Sequence, residues 1–394
     1  MPEPPTTVLD SAVRIDPARD PEWDTFVLRN GGSRIHAYQL GAWSEVHRRA
    51  YGSDPLYLGA RNANGELAAG LPLVVEGGLL RGLAAAARPG PSWAGAGVQR
   101  RLSSLFRGGP IGVDTAARAA VLGSACRLVD ERRFNELVLT TDVPGCDELV
   151  TGLRVAPYYP TWITPLPRDP DELRRVWRKR SRNLSRNVIK AEQRGAVVRG
   201  ARSRADLWRF YRQYVRTVRG HHATPRSWFE IRLAHKLLAP SGRCRVWLVE
   251  SQGEVVAGAM FLAAGTTLDA LYIGSDPRAD DVRPTHALYW HAITWAIANG
   301  MTAVDWGTAP AESSLGRFKR QWSAEPIDIF RYVYAPDGAA EQPGDNGPER
   351  PGNADAAPGE TGVATPRNGP ASTVWDRIPV NALGLAATIG HRLL

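Results

Sequence analysis

The sequence has little cysteine, and its three cysteines form none of the spacings that signal a metal site or a disulfide framework. Cys126, Cys146 and Cys244 are scattered, odd in number and include no CxxC pair. We therefore expect a reducing, cytoplasmic environment and no cysteine-based zinc site. The eight histidines contain no HExxH motif, so the sequence predicts neither a catalytic metal nor a resident cofactor.

Long hydrophobic runs and the common nucleotide-binding motifs are also missing. No apolar run approaches the ~20 residues that a membrane-spanning helix needs, and residues 382–390 are the longest candidate. The N-terminus lacks the basic-then-apolar pattern of a secretory signal. There is no Walker loop, nucleophile elbow or dinucleotide fingerprint, which argues against NTPases, α/β-hydrolases and dehydrogenases.

The charge of the chain is positive overall but unevenly distributed. The 394 residues carry a formal net charge of +9, whereas residues 336–370 hold six acids, two bases, seven glycines and seven prolines. Such a stretch buries too little apolar surface to fold, so we predict a disordered linker at 336–372. A helix is predicted at 373–394, where apolar residues recur at helical spacing. It either docks on the body of the protein or makes peripheral contact with a membrane.

An internal repeat organises the remainder. Residues 64–74 and 252–262 each form an Asn-Gly or Gln-Gly turn between two apolar segments, which is typical of a β-hairpin. An extended segment, a helix and a short apolar strand follow each hairpin; in the first half the extended segment is Pro110–Val113. This order predicts two duplicated α/β domains, at residues 1–160 and 161–335.

The most distinctive segment runs from Arg174 to Arg194, with nine basic residues and one acid. Its apolar residues fall at helical spacing, so a helix or helix pair with one buried face is expected. The other face suits phosphate groups, although a solvated basic face is the alternative. The candidate phosphate- or tRNA-binding residues are Arg178, Lys179, Arg182, Arg186 and Lys190.

A second segment predicts a ligand site at the rim of a sheet. Asp305 ends an apolar strand, a glycine-containing loop follows, and Phe318-Lys319 is expected to open a helix. The alternative is that Asp305 is a cap or turn residue and Lys319 a surface lysine. The Gly-rich turn that holds pyrophosphate in acetyl-CoA-dependent acyltransferases is missing, because residues 276–285 contain three acids, two prolines and no glycine.

Together these features resemble the Fem-type (FemABX-like) peptidyltransferases, which consist of tandem GNAT-like domains. The resemblance covers roughly residues 20–335 and is strongest from 182 to 334. Two positions depart from the family pattern: Thr285, where Asn is expected, and Ser323, where Gly is expected. The matching motif residues are Arg182, Lys190-Ala191, Thr224-Pro225, Phe229, Tyr272, Ser275, Asp305, Gly307, Gly316, Phe318, Lys319 and Trp322.

The resemblance implies an α/β fold with two tandem GNAT-like domains built on mixed sheets. It also implies transfer of an aminoacyl group from aminoacyl-tRNA, as co-substrate, to an amine of a peptidoglycan precursor or a small molecule. Lys319 is our candidate for stabilising the oxyanion. Asp305 is our candidate for accepting the proton of the amine, and the alternative acceptor is the leaving group of the substrate. The candidate substrate-binding residues are Phe318, Tyr272, Ser275, Thr224, His222 and Trp322.

Two alternatives stay open at this stage. One is an acyl-CoA-dependent N-acyltransferase on the same fold, which the missing pyrophosphate turn disfavours. The other is a non-catalytic nucleic-acid- or envelope-associated binding protein that keeps the fold as a scaffold, because fold likeness alone does not establish activity. The histidine pair at 221–222 is likewise either part of an acceptor channel or simply polar loop.

Overall fold

A computed structural model describes residues 12–32, 35–52, 55–76, 100–104, 106–180, 182–220 and 225–336. The described part of the chain divides into two compact units, the first containing residues 12–158 and 329–336 and the second Tyr159–Asp328. Each unit is built on one sheet that mixes parallel and antiparallel strands. Among the described helices, none is long and apolar enough to cross a membrane.

The first unit contains a sheet with the strand order β1-β2-β3-β4-β6-β15-β7, and β5 pairs with β3. Its strands are β1 (Val13–Ile15), β2 (Leu56–Arg61), β3 (Leu67–Glu76), β4 (Arg101–Ser104), β5 (Ile111–Gly112), β6 (Glu136–Thr141), β7 (Arg154–Ala156) and β15 (Phe330–Tyr334). Its helices are α1 (Trp23–Asn30), α2 (Gly41–Tyr51), α3 (Thr115–Asp130) and α4 (Cys146–Leu149), with a 3₁₀ turn at Ala37–Gln39.

The second unit has the strand order β14-β8-β13-β12-β11-β10-β9. Its strands are β8 (Thr161–Pro165), β9 (Val197–Gly200), β10 (Cys244–Ser251), β11 (Glu254–Ala264), β12 (Thr267–Ser275), β13 (Ala303–Thr308) and β14 (Glu325–Ile327). Its helices are α5 (Pro170–Arg180), α6 (Arg182–Gln193), α7 (Arg204–Gly220), α8 (Trp228–Leu238), α9 (Pro284–Ala298) and α10 (Ser314–Gln321), with a 3₁₀ helix at Pro277–Val282.

The predicted α/β fold with tandem GNAT-like repeats is confirmed, with one correction inside the first repeat. Hairpins β2–β3 and β10–β11 are each followed by a strand, a helix and a parallel strand. The strand that matches β12 is β4, which pairs parallel with β6, and not the predicted segment at Pro110–Val113. β4 escaped prediction because it has only four residues and includes Arg101, Ser103 and Ser104, so its apolar signal is weak.

The two units meet in the chain at Tyr158–Tyr159, next to the predicted boundary at 160/161. The predicted C-terminal domain also included residues 330–334, but these form β15, which pairs with β6 and β7 of the first sheet. In the second sheet, β8 pairs antiparallel with β13 just as β15 pairs with β6 in the first. Apart from Pro336, the predicted linker and C-terminal helix lie outside the described residues.

Candidate active site

Two parallel strands of the second unit separate at their carboxyl ends, and several of the predicted site residues lie on these strands or pack beside them. β12 and β13 pair through three positions, the last of which matches Asp269 with Asp305. β12 then continues to Ser275 and β13 to Thr308 without further pairing between them. Ligands of open α/β sheets bind at the carboxyl ends of strands that separate in this way.

Asp305 and Lys319 hold the same turn at the end of β13. The Oδ1 atom of Asp305 accepts hydrogen bonds from Thr161 Oγ1 at 2.6 Å and from the Gly307 N–H at 2.7 Å. Lys319 Nζ donates to the carbonyl oxygens of Gly307 at 3.0 Å and Thr308 at 3.2 Å. Both side chains are buried. Gly307 has a φ of 76°, which explains why glycine stands at this position.

The helix that carries Lys319 starts earlier than the sequence predicted. α10 begins at Ser314, and the Ser313 hydroxyl accepts a hydrogen bond from the Gly316 N–H, as an N-cap does. Phe318 and Lys319 therefore lie inside the helix rather than at its first residues. The sequence analysis did not identify Ser313 as an N-cap.

An aromatic cluster packs against one side of the divergence. Tyr289 on α9 stacks on Trp306 of β13, with ring centroids 4.0 Å apart and planes inclined by 5°. The rings of Phe318 and Trp322 pack against Tyr289 at 5.4 and 5.2 Å. Trp322 is fully buried and Phe318 is half-buried. These two predicted residues thus lie together and fix α10 against α9 and β13.

His286 joins this cluster from the first turn of α9. Its ring centroid lies 5.6 Å from that of Phe318 and 5.8 Å from that of Trp322. Its Nε2 atom lies 3.2 Å from the side-chain amide nitrogen of Asn187 on α6. Burial lowers the pKa of His286 to about 4; the Arg283 charge acts in the same direction and Asp280 opposes it. The sequence did not single out His286 as a site residue, because a single histidine in a helix belongs to no motif.

Tyr272 and Ser275 point to a different set of partners. The Tyr272 hydroxyl donates a hydrogen bond to Glu230 on α8, and both side chains are buried. The Ser275 backbone exchanges hydrogen bonds with the hydroxyl of Thr217 on α7, at 2.9 and 3.2 Å. The structure therefore links these two predicted residues to α7 and α8, and it adds Glu230, which no sequence motif singled out.

The turn between β12 and α9 is closed on itself by ion pairs. The Asp276 carboxylate accepts hydrogen bonds from the backbone N–H of Arg278 at 3.0 Å and from its guanidinium at 3.0 and 2.7 Å. Arg216 adds a contact at 3.1 Å. The hydrogen bond from Arg278 is the main cause that lowers the pKa of Asp276 to about 2. A backbone donor that would hold a pyrophosphate is thus already satisfied by a carboxylate.

Helices α5 and α6 have the buried face and the basic face that the sequence predicted. Leu173, Trp177, Leu184, Val188 and Ala191 are buried in the core of the second unit. The basic side chains then occupy the other face: Arg178, Lys179 and Arg186 are exposed, and Lys190 is half-buried. Within the described residues these four form no ion pair. The side chain of Arg182 lies outside the described part of the chain, as do Thr224 and His222.

No metal site emerges from the described side chains, because histidine, cysteine, aspartate and glutamate nowhere form a group of three able to hold an ion. The three cysteines are buried, and burial raises the pKa of each thiol to about 12. Thiolates at these positions are therefore scarce at neutral pH.

Comparison with known protein families gives a match over the part of the chain that holds this site. Residues 178–320 match the family described as an acetyltransferase (GNAT) domain. The match covers the end of α5, all of α6, the strand divergence and most of the helix that bears Lys319. The second unit therefore contains a domain similar to the GNAT acetyltransferases. Among curated proteins, no match is found.

Solved structures show the tandem arrangement of this fold. FemX superimposes with a TM-score of 0.63 at 17% identity, covering 83% of this chain and 98% of FemX. L-PGS from Bacillus licheniformis gives a TM-score of 0.52 at 15% identity, covering 82% of this chain and 94% of that one. The C-terminal domain of a putative lysylphosphatidylglycerol synthetase from Agrobacterium fabrum gives 0.52 at 13%, with the same coverage. At these identities the likeness concerns the fold.

Proposed function

We propose that this GNAT-superfamily protein transfers an aminoacyl group from aminoacyl-tRNA to an amine of a small-molecule acceptor or a peptidoglycan precursor, in the cytoplasm. The observation that carries the proposal is the exposed basic face of α5 and α6, whose opposite, buried face packs in the same core as α9. Arg178, Lys179 and Arg186 lie on this exposed face without acidic partners in the described structure. Unpaired basic side chains on one face suit the regularly spaced phosphates of a nucleic acid.

The closed turn after β12 supports the same donor. In acyltransferases that use acyl-CoA, backbone N–H groups at this turn hold a pyrophosphate. Here the Asp276 carboxylate occupies one such donor, and Pro277 and Pro284 remove two more. The pyrophosphate of an acyl-CoA donor would therefore lack these backbone donors at this turn, whereas a tRNA is held through the α5–α6 face instead.

The chemistry requires an activated ester, an amine and stabilisation of a negative tetrahedral intermediate. Lys319 places a positive charge at the turn that ends β13, and Asp305 fixes the same turn. The proposed roles of Lys319 in stabilising the oxyanion and of Asp305 in accepting a proton stay predictions. The name of one fold relative, a putative lysylphosphatidylglycerol synthetase, fits this reaction class.

Binding of tRNA by charge-reversed variants tests the proposal. Replacing Arg178, Lys179 and Arg186 together with Glu removes three phosphate contacts, so we expect roughly 10- to 1,000-fold weaker binding at 0.1 M salt and a shallower salt dependence. The measurement is an equilibrium titration with labelled tRNA at several salt concentrations.

A matched triple variant separates a local contact from a change in overall charge. Arg29, Arg133 and Arg154 are exposed in the first unit, and replacing them with Glu changes the net charge by the same amount. We expect this control to bind tRNA within about threefold of the wild type. Equal losses in both triple variants, or no loss in either, would contradict the assignment of the α5–α6 face to tRNA.

A further inference from the structure

His286 lies where the reaction of the proposed function would take place. Parallel strands β12 and β13 end at the same edge of the sheet, and α9 starts from that edge. His286 is one turn before Tyr289, whose ring lies flat on Trp306 of β13. Its ring packs on Phe318, the residue next to Lys319 on α10, and on Trp322, and both of these rings also pack on Tyr289.

The contacts of the ring determine which nitrogen carries the proton. The Asn187 amide nitrogen can only donate, so Nε2 of His286 accepts that hydrogen bond. The neutral imidazole then carries its hydrogen on Nδ1. Among the residues that the structure describes, Nδ1 has no hydrogen-bond partner, and the side chain is only partly buried.

The surroundings keep the ring neutral. The charged groups that act on it are Arg283 and Asp280 from the preceding turn, and they oppose each other. The groups that pack on it from α6 and α10 are the Asn187 amide and the uncharged ring of Phe318. Burial dominates and lowers the pKa of His286 to about 4, so the imidazole is a neutral donor at physiological pH.

We propose that His286 is a catalytic residue whose Nδ1–H donates a hydrogen bond to the carbonyl oxygen of the aminoacyl ester, while Asn187 holds Nε2. This assignment rests on the proposed function. It gives the site a directional donor in addition to the charge of Lys319, whose Nζ atom already donates to the carbonyl oxygens of Gly307 and Thr308.

The step balances without a proton leaving His286. The amine nitrogen forms a bond to the carbonyl carbon, and the electron pair of the C=O bond moves to the oxygen that Nδ1–H contacts. The C–O bond to the tRNA ribose then breaks as the carbonyl re-forms. The proton that the amine gives up ends on the ribose oxygen, either directly or by way of Asp305, so the products are an amide and a free ribose hydroxyl.

Two variants that each keep one nitrogen position test the assignment. The side-chain amide of Asn lies where Nδ1 lies, and that of Gln reaches the Nε2 position. We expect His286→Gln to lower kcat about 100- to 1,000-fold, and His286→Asn to keep it within about tenfold, with KM for the aminoacyl-tRNA nearly unchanged in both. If the only role of His286 is to join α9 to α6 through Asn187, His286→Gln keeps the higher kcat and His286→Asn loses more. A reversed order, equal losses or unchanged rates would overturn the proposal.

A nitrogen NMR titration of the full wild-type chain does not depend on how the variants fold. With His286 identified by its absence in His286→Asn, we expect a neutral ring with hydrogen on Nδ1 from about pH 8 to about pH 5. Hydrogen on Nε2, or an imidazolium near neutral pH, would overturn the proposal. Failure of the proposed function has a separate signature, since the wild type would then transfer nothing from aminoacyl-tRNA.

Discussion

Ser323 adopts a left-handed backbone conformation just after α10, with φ of 59°. The Fem-like pattern has glycine at this position, which occupies that region without a steric cost. In this chain the serine compensates, because its hydroxyl accepts a hydrogen bond of 3.0 Å from the indole N–H of buried Trp177. The departure from the motif therefore ties α5 to the end of α10.

Substitutions at Ser323 separate the backbone cost from the hydrogen bond. Ser323→Ala keeps the strained backbone and leaves the Trp177 indole N–H without its acceptor, so we expect the free energy of unfolding to fall by about 1 kcal/mol. Ser323→Gly loses the same bond but relieves roughly 1–2 kcal/mol of strain, so its stability should match or exceed that of the wild type. Urea denaturation measures both, and a glycine variant less stable than the alanine variant would contradict this account.

Single residues were the hardest features to predict from sequence. Asp305 and Lys319 were recognisable because they belong to spaced motifs, and the structure places both at the Gly307 turn. Glu230 and Asn187 were not recognisable, since each acts only through a partner far away in the chain. Asn187 and His286, for example, are 99 residues apart.

At the scale of elements, the close packing of α10 depends on Gly316. A Cβ atom there would lie 2.3 Å from the Pro310 carbonyl oxygen and 2.9 Å from that of Ala311. Both atoms belong to the backbone, so the helix itself would have to shift. Such a shift would carry Phe318 and Lys319 away from the turn that ends β13.

A matched pair of glycine substitutions tests this packing. We expect Gly316→Ala to destabilise the protein by about 1–3 kcal/mol and to reduce aminoacyl transfer at least tenfold. Gly123→Ala is the control, because the nearest atom to a Cβ in the middle of α3 is 3.8 Å away. That change should stabilise the protein by about 0.5–1 kcal/mol. Thermal unfolding and a transfer assay check both, and equal behaviour of the two variants would count against the packing argument.

Elements with strong local signals were predicted well. The hairpins carry their turn residues, and the helix predicted after the second hairpin is observed as α9 at Pro284–Ala298. β4 was missed because its four residues lack an apolar pattern, and its pairing with β6 spans a helix. The strand propensity of a residue reflects its local conformational preference, whereas the pairing of two parallel strands depends on tertiary contacts.

At the scale of the whole molecule, the duplication was visible in the sequence and the path of the chain was not. The repeated order of hairpin, strand, helix and strand predicted two units. The pairing of residues 330–334 with the first sheet could not be predicted. Nothing in the sequence of a five-residue strand indicates that it pairs with a strand almost 200 residues earlier. The unequal distribution of charge was visible, and it placed the basic face on α5 and α6.

The measurement that tests the central claim most directly is transfer by the purified full chain. It would be supplied with a tRNA pool charged with radiolabelled amino acids and with a small-molecule cell extract, and in parallel with labelled acetyl-CoA. We predict that label from the tRNA pool enters a product that survives RNase, and that digesting the tRNA beforehand abolishes the transfer. Label entering product from acetyl-CoA but not from charged tRNA, with the protein folded, would contradict the account.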